Sequence, residues 1–196
     1  MKKPLTTAAL ALTALLARAQ DQRWEFEPTH SAVRFSIPHF GISETEGQFH
    51  KFTGTIAPKG NDFAGATVTF TLDAASIDTD DPTRDGHLKS PDFFDAAKYP
   101  TLAFQGKLVK AKGDQSAYQL VDSFTMHGVT KPLTLAVRYN GLLVKDLYGA
   151  SRAGFKVTGS LNRQDYGLVW NKTLDTGGLA VGNDVALVAN IELLKK

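Results

Sequence analysis

The sequence predicts an all-β protein, an eight-stranded antiparallel up-and-down barrel with a short helical insertion over one end. Three observations lead there. Apolar and polar residues alternate in eight separate runs, so each run reads as a strand with one face inside and one in water. Turn-forming clusters such as Pro58-Lys59-Gly60-Asn61 and Lys112-Gly113-Asp114 separate them. A single stretch, from Asp81 to Pro100, replaces the alternation with helix-starting residues. A sheet of eight antiparallel strands with one apolar face hides that face and loses its edges by closing on itself.

The strands follow in order. Val33, Phe35 and Ile37 mark the first, which Trp24 and Phe26 extend on its N-terminal side. Phe52 and Ile56 mark the second, and Val68, Phe70 and Leu72 the third. In the insertion, Asp81 is an N-cap with Pro82 at the first helical position, where a missing N–H is no loss. Ser90-Pro91 starts a second turn that carries Phe93 and Phe94, and Pro100 drives Tyr99 back to extended geometry. Two short turns ending in paired phenylalanines read as a lid. Leu102, Phe104 and Leu108 form the fourth strand, Tyr118, Leu120 and Phe124 the fifth, and Leu133, Leu135, Val137 and Tyr139 the sixth. Phe155, Val157 and Leu161 give the seventh, and Val185, Leu187, Ala189, Ile191 and Leu193 the last.

The N-terminus reads as an export signal spanning 1–19. Lys2 and Lys3 are followed by a mostly apolar run, and Ala17-Arg18-Ala19 offers a cleavage site before Gln20. Cleavage would remove three positive charges and no acid, turning the formal +2 into −1, so the basic balance is no argument for nucleic acid. Residues 20–196 carry no repeat or linker and read as one domain. The chain has no cysteine, which excludes disulfides and thiol chemistry.

In a meander, odd-numbered connections share one end of the barrel and even-numbered ones the other. The even connections, 57–65, 110–115 and 140–150, look ordinary. The odd ones hold the unusual chemistry: Pro38 to Ser43, the lid, Thr125 to Lys131, and Asn162 to Asn183. The reading is one plain end and one elaborate mouth, where functional residues on a rigid scaffold belong.

Eight strands enclose a space that side chains fill or that holds one small ligand, and pattern alone leaves both open. The candidate ligand-lining residues are Phe35, Ile37, Phe52, Phe70, Leu72, Leu102, Phe104, Leu133, Leu135, Phe155 and Val157 from the strands, Phe93 and Phe94 from the lid, and Trp170 from the last long loop. His39, Arg84, His87, His127 and Arg163 are candidates for a head-group collar or for holding the lid. Arg84 and His87 have a plainer role open to them, fixing the lid by hydrogen bonds to neighbouring loops. No histidine pair has metal-ligand spacing, so no metal is expected. No G-x-S-x-G elbow is present, and no catalytic residue is assigned.

Several motifs resemble one family. Thr29-His30-Ser31, Phe52-Thr53-Gly54, Arg84-Asp85-Gly86-His87-Leu88-Lys89-Ser90-Pro91-Asp92-Phe93-Phe94-Asp95 and Lys98-Tyr99-Pro100 are similar to those of the YceI-like polyisoprenoid-binding family. So are Met126-His127-Gly128-Val129-Thr130-Lys131-Pro132, Asn162-Arg163-Gln164-Asp165-Tyr166-Gly167 and Val181-Gly182-Asn183-Asp184-Val185. Glu27 and Phe124 depart from the usual Asp and Leu. The resemblance implies an extended lipocalin-like barrel, exported to the periplasm, whose apolar lumen takes a long isoprenoid lipid or isoprenoid quinone. It also implies that homodimers occur, and it supplies no reaction and no cofactor beyond the lipid. The resulting expectation is a soluble carrier or reservoir with transient contact to a membrane surface. Its rivals are an enzyme acting on the same lipid, with His127 or His87 as general base and Arg84 or Arg163 holding an anionic intermediate, and a stress-related structural protein with a filled barrel.

Overall fold

The computed structural model describes residues 23–59, 62–175 and 177–196. The expected signal segment, 1–19, and Gly60-Asn61 of one expected turn lie outside the described residues. The strands are β1 (Trp24–Phe26), β2 (Ala32–His39), β3 (Ser43–Phe49), β4 (Phe52–Ala57), β5 (Thr67–Asp73), β6 (Ile77–Asp78), β7 (Thr101–Lys110), β8 (Ala117–Met126), β9 (Val129–Leu143), β10 (Arg152–Asn162) and β11 (Asp184–Lys195). Helix α1 (Pro82–Lys89) sits between β6 and β7.

These segments make eight staves, because three of them are bent. β1 continues into β2, β3 into β4, and β5 into β6, each across a short break. The breaks at 50–51 and 74–76 are tied together: His50 N donates to Ser76 O at 3.1 Å, Lys51 N to Ser76 Oγ at 3.0 Å, and Asp73 N to Lys51 O at 2.9 Å. The pairing runs β1-β4-β5-β7-β8-β9-β10-β11 and back to β1, all antiparallel, with β2, β3 and β6 extending it at the mouth. The predicted eight-stranded barrel and lid helix are therefore present.

The seam is β11. On one side it pairs with β10 from Arg152↔Leu194 to Asn162↔Asp184. On the other it takes β1 near its end, Phe26↔Leu193, and β2 further back, Phe35↔Leu187. The joint between β1 and β2 is a 3-10 turn, Pro28–His30, capped by Glu27. Glu27 accepts from Thr29 Oγ1, from His30 N at 2.9 Å and from the His30 ring at Nδ1, 2.6 Å away. Ser31 Oγ then takes Glu192 N at 2.9 Å, locking the turn onto β11.

Pro38 to Ser43 reads as a loop in sequence, but both its ends are strand: β2 runs to His39, and β3, which the alternation does not mark, begins at Ser43. The turn is only Phe40 to Ile42, with φ of 53° at Phe40 and 71° at Gly41 and Ile42 N donating to His39 O. β3 is silent in sequence because the inward position opposite Phe35 is Gly47. A Cβ there would lie 2.5 Å from Phe35 Cζ, so the ring occupies the space the strand's own side chain would fill. Asp122 breaks the pattern differently: it holds the inward parity between Leu120 and Phe124, yet it is exposed, with φ of 131°.

The plain end is less ordinary than its sequence. Phe63, from the loop before β5, closes it, 5.5 Å from Trp24, 5.0 Å from Phe155 and 5.7 Å from Tyr139 between ring centres. Phe155 and Tyr139 also pack on one another at 5.2 Å.

The Glu27 turn gives a pH signature. Its hydrogen bonds, the one from Thr29 Oγ1 foremost, lower the Glu27 carboxyl from 4.5 to about 2. A depressed carboxyl stabilises the fold above its unfolded value, and that stability is lost as pH falls from about 4.5 towards 2. Glu27→Gln is expected to lower stability at pH 7 by about 1–2 kcal/mol. Denaturant titrations from pH 7 to 2.5 should show the gap between variant and parent closing over that window. A gap that stays constant with pH would count against this role.

Candidate functional site

Between the Phe63 plug and the lid, the barrel encloses a cavity of about 200 Å³. Its walls are apolar apart from Arg34 and Arg163. The strands bring mainly one face to it, because successive side chains point to opposite sides of a sheet; the pair Arg34–Val188 on β2 and β11, of the other parity, also borders it.

Most of the candidate lining residues meet there. Phe35, Ile37, Phe70, Leu72, Leu102, Phe104, Leu133, Leu135 and Val157 contribute from the strands, and Phe93 and Phe94 from above. Three lie outside the lining. Phe155 belongs to the plug at the plain end. Phe52, directly after the β3–β4 break and level with Leu72, is buried with its ring 6.1 Å from Phe70. Trp170 packs on the outer side of the lid, 5.1 Å from Phe93. Further liners lie outside the candidate set. Val33, Leu120 and Leu187 were visible in the alternation, and Phe49 sat on the unrecognised β3. Leu88, Leu168 and Val181 come from the lid and the last loop, where no strand period marks them.

The lid is fastened at both ends. Asp81 Oδ1 accepts Thr83 N at 2.9 Å and Arg84 N at 3.1 Å, as the N-cap reading required. Arg84 grips Thr79 through Nε to Oγ1 at 2.8 Å and Nη2 to the carbonyl, and Asp85 Oδ1 accepts from Thr79 N and Oγ1. Arg84 and Asp85 thus anchor the helix, and Arg84 does not reach the cavity. At the far end, the His87 ring stands edge-on to Trp170 at 4.9 Å and to Phe93 at 5.0 Å, with Nε2 2.9 Å from Asp92 Oδ2. Phe94 meets Phe49 edge-on at 5.9 Å.

None of the three mouth histidines lines the cavity. His39 pairs with Val181 across a β-bridge and stacks on Phe40. His127 occupies the β8–β9 turn with φ of 52°; its Nδ1 lies 3.2 Å from Tyr166 O, an acceptor that calls for a proton on that nitrogen. Its ring stands 4.7 Å from Tyr99, which in turn covers Gly128, where a Cβ would come within 2.6 Å of Tyr99 Cε1. His39 and His127 therefore tie loops together. Among the described residues, the one cluster with metal-ligand character is Glu27, His30 and Glu192, at the β1–β2 joint. Its carboxylates are committed to Thr29, His30 and Arg152.

Arg163 is different. It is 2% exposed and lines the cavity. Asn162 caps the 3-10 turn that carries it, and Gly167, with φ of 82°, ends that turn. Its Nε donates to Gly182 O at 2.8 Å, and its Nη1 to Leu168 O at 2.7 Å and Trp170 O at 2.9 Å. Burial lowers its pKa.

Fold and cavity together define a class: a closed, lidded β-barrel with an apolar interior. A model of the YceI-like domain matches residues 24–193, and the chain belongs to the YceI-like family. Two UPF0312 proteins of Staphylococcus aureus, SA2479 and SAV2687, are each 34% identical over 167 residues, 85% of this chain and 94% of theirs. The YceI protein of Campylobacter jejuni, 28% identical, superposes with a TM-score of 0.67 over 82% of this chain and 90% of its own. Burkholderia cenocepacia BcnA matches with a TM-score of 0.72 at 20% identity, over 85% and 98%. A polyisoprenoid binding domain from Saccharophagus degradans matches at 0.63 and 14% identity, over 88% and 98%. These last two likenesses concern the fold.

The aromatic latch carries a prediction. Trp170→Ala removes two ring contacts, each worth about 0.5–1.5 kcal/mol. Amide hydrogen exchange in 82–94 should speed up by roughly tenfold or more while the strands keep their protection. Unchanged exchange there would mean that Trp170 does not hold the lid.

Proposed function

We propose that the protein is a soluble carrier or reservoir that holds an isoprenoid lipid or isoprenoid quinone in its barrel, acting in the periplasm after export. The observation that carries this reading is the cavity itself, an apolar space closed below by Phe63 and capped by Phe93 and Phe94. A structural protein with a filled barrel has no use for such a space under a separate lid. The likeness to a polyisoprenoid binding domain supports the choice of ligand class.

At about 200 Å³ the cavity is smaller than the roughly 300–1,000 Å³ of drug-sized sites. A long chain would enter by pushing aside Phe93 and Phe94 and repacking the phenylalanines beneath them. Burying each CH₂ is worth about 0.8 kcal/mol against water. A lipid drawn from a bilayer leaves an equally apolar medium, so most of that gain cancels. Selectivity then rests on shape and on contacts to the head.

Exchange with a membrane is part of the proposal. Phe40, Ile42, Val169 and Leu179 stand exposed around the mouth, Ile42 at 87% and Val169 at 65%. Phe40 holds a turn position that suits Asn or Gly, so a bulky side chain there carries strain without gaining burial. Such a rim fits contact with a bilayer surface while the lid is open.

The test compares the two faces of β9 with a fluorescent C20 isoprenoid. Leu135→Arg, on the inner face, should weaken binding more than about a hundredfold, since a charge would sit against the apolar chain. Thr134→Arg, on the exposed face, should leave binding within about twofold. Circular dichroism accompanies both, and Val157→Phe, which fills the cavity without adding charge, should also reduce binding. Equal effects from Leu135→Arg and Thr134→Arg in folded proteins, or full binding by Val157→Phe, would refute a luminal site.

A further inference from the structure

Arg163 is the one charged side chain fully buried among the described residues, and its Nη2 has no hydrogen-bond partner. The rest of the guanidinium is well held, because carbonyls of Leu168, Trp170 and Gly182 converge on Nε and Nη1. Carbonyls satisfy N–H groups but leave the positive charge uncancelled. No carboxylate lies within ion-pair distance of Arg163 among the described residues; the nearby Asp165 turns away to Lys131 at 3.1 Å. Arginine stays protonated in proteins, so the wall of an apolar cavity carries an uncompensated cation. A buried charge without a counter-charge is costly, and so is a buried donor without an acceptor. Both deficits are removed by one event, the arrival of a negatively charged oxygen at Nη2.

We propose that Arg163 Nη2 receives the anionic oxygen of the ligand's head group, so that the barrel prefers an apolar chain ending in an acid over the same chain ending in a neutral group. This rests on the carrier reading and narrows it to a chemical class: a carboxylate or a phosphate monoester on an isoprenoid-like tail. The geometry limits the head. Only one nitrogen of the guanidinium is free, so the two-pronged grip of an open arginine on a large polyanion is not available. The tail then runs from Arg163 at the mouth down between Phe35 and Leu135 towards Phe26. The three carbonyl contacts hold the guanidinium in place before the ligand comes, which reduces the ordering needed on binding.

A competing partner lies close by. Asn183 Oδ1 is also buried without a partner, and the Asn183 backbone carbonyl accepts Arg163 N at 2.9 Å. If side-chain motion joined Nη2 to that oxygen, the orphan donor would be satisfied internally. The charge would still lack a counter-ion, and the preference for an acid separates the two cases.

The experiment uses the full folded protein and four C20 probes with the same isoprenoid tail: an acid, a phosphate monoester, an alcohol and a hydrocarbon, each titrated at pH 7.5. The acid, the monoester or both are expected to bind at least tenfold more tightly than the alcohol, and which of them leads tells carboxylate from phosphate. In Arg163→Met the acid-to-alcohol ratio should fall to about one while the hydrocarbon binds as before. Arg163→Lys should keep part of the ratio. Removing the guanidinium also frees three carbonyls, so the wild-type ratio serves as the primary readout, with Arg163→Lys as the folded control if the Met variant does not fold. A purely structural arginine would change all four probes alike. Equal binding of acid, monoester and alcohol to the wild type overturns the proposal while leaving the carrier reading in place. Failure of every probe to bind overturns both.

Discussion

Everything in this molecule depends on β11 pairing on both of its sides. Its register with β10 and with β1 and β2 closes the sheet, and closure turns an apolar face into an enclosed interior. An open sheet of the same sequence would expose both a row of unpaired backbone groups and a surface of Phe, Leu and Val. The joint at 27–31 lets one stave follow β11 along its length despite the bend, and the Glu27 cap with the Ser31–Glu192 contact fixes that joint.

Closure then forces a choice about what fills the space. The plain end is filled by protein, with Phe63 brought in from a loop to meet Trp24, Tyr139 and Phe155. In the middle the inner face has gaps: Gly47 leaves room for Phe35, and Gly159 for Leu135, whose Cδ2 would lie 2.4 Å from an added Cβ. Each glycine makes room for a large side chain on the neighbouring strand, so this part of the wall is packed by large–small pairs. At the mouth the filling is a lid on anchors, with Arg84 and Asp85 holding one end and the His87–Trp170–Phe93 cluster the other.

Strand alternation and connection parity made the barrel and its unequal ends legible in the sequence, since both follow from local rules. What escaped was set by long-range packing. β3 carried no apolar period because Gly47 yields its place to Phe35. Phe63 looked like a loop residue because nothing local says that it turns under the barrel. Phe155 has the parity of a liner, but parity fixes a face and not a height, and it sits in the plug at the plain end; Phe52 is level with the liner Leu72 and packs on Phe70 instead. The mouth histidines were attractive as titratable groups in loops, yet His39 and His127 serve to tie loops and His87 to latch the lid. Arg163 stood among five candidates with nothing to distinguish it. Its burial and its free Nη2 exist only once the carbonyls of Leu168, Trp170 and Gly182 have converged on it.

The central claim is that the barrel exists to be occupied. Native mass spectrometry of the protein purified gently from its own host, followed by organic extraction of what it releases, tests that claim most directly. The account predicts a one-to-one adduct that yields a single class of isoprenoid-chain lipid, chemically unchanged after incubation with the protein. A barrel that is empty under those conditions, and that takes up no lipid when offered membranes, would contradict it.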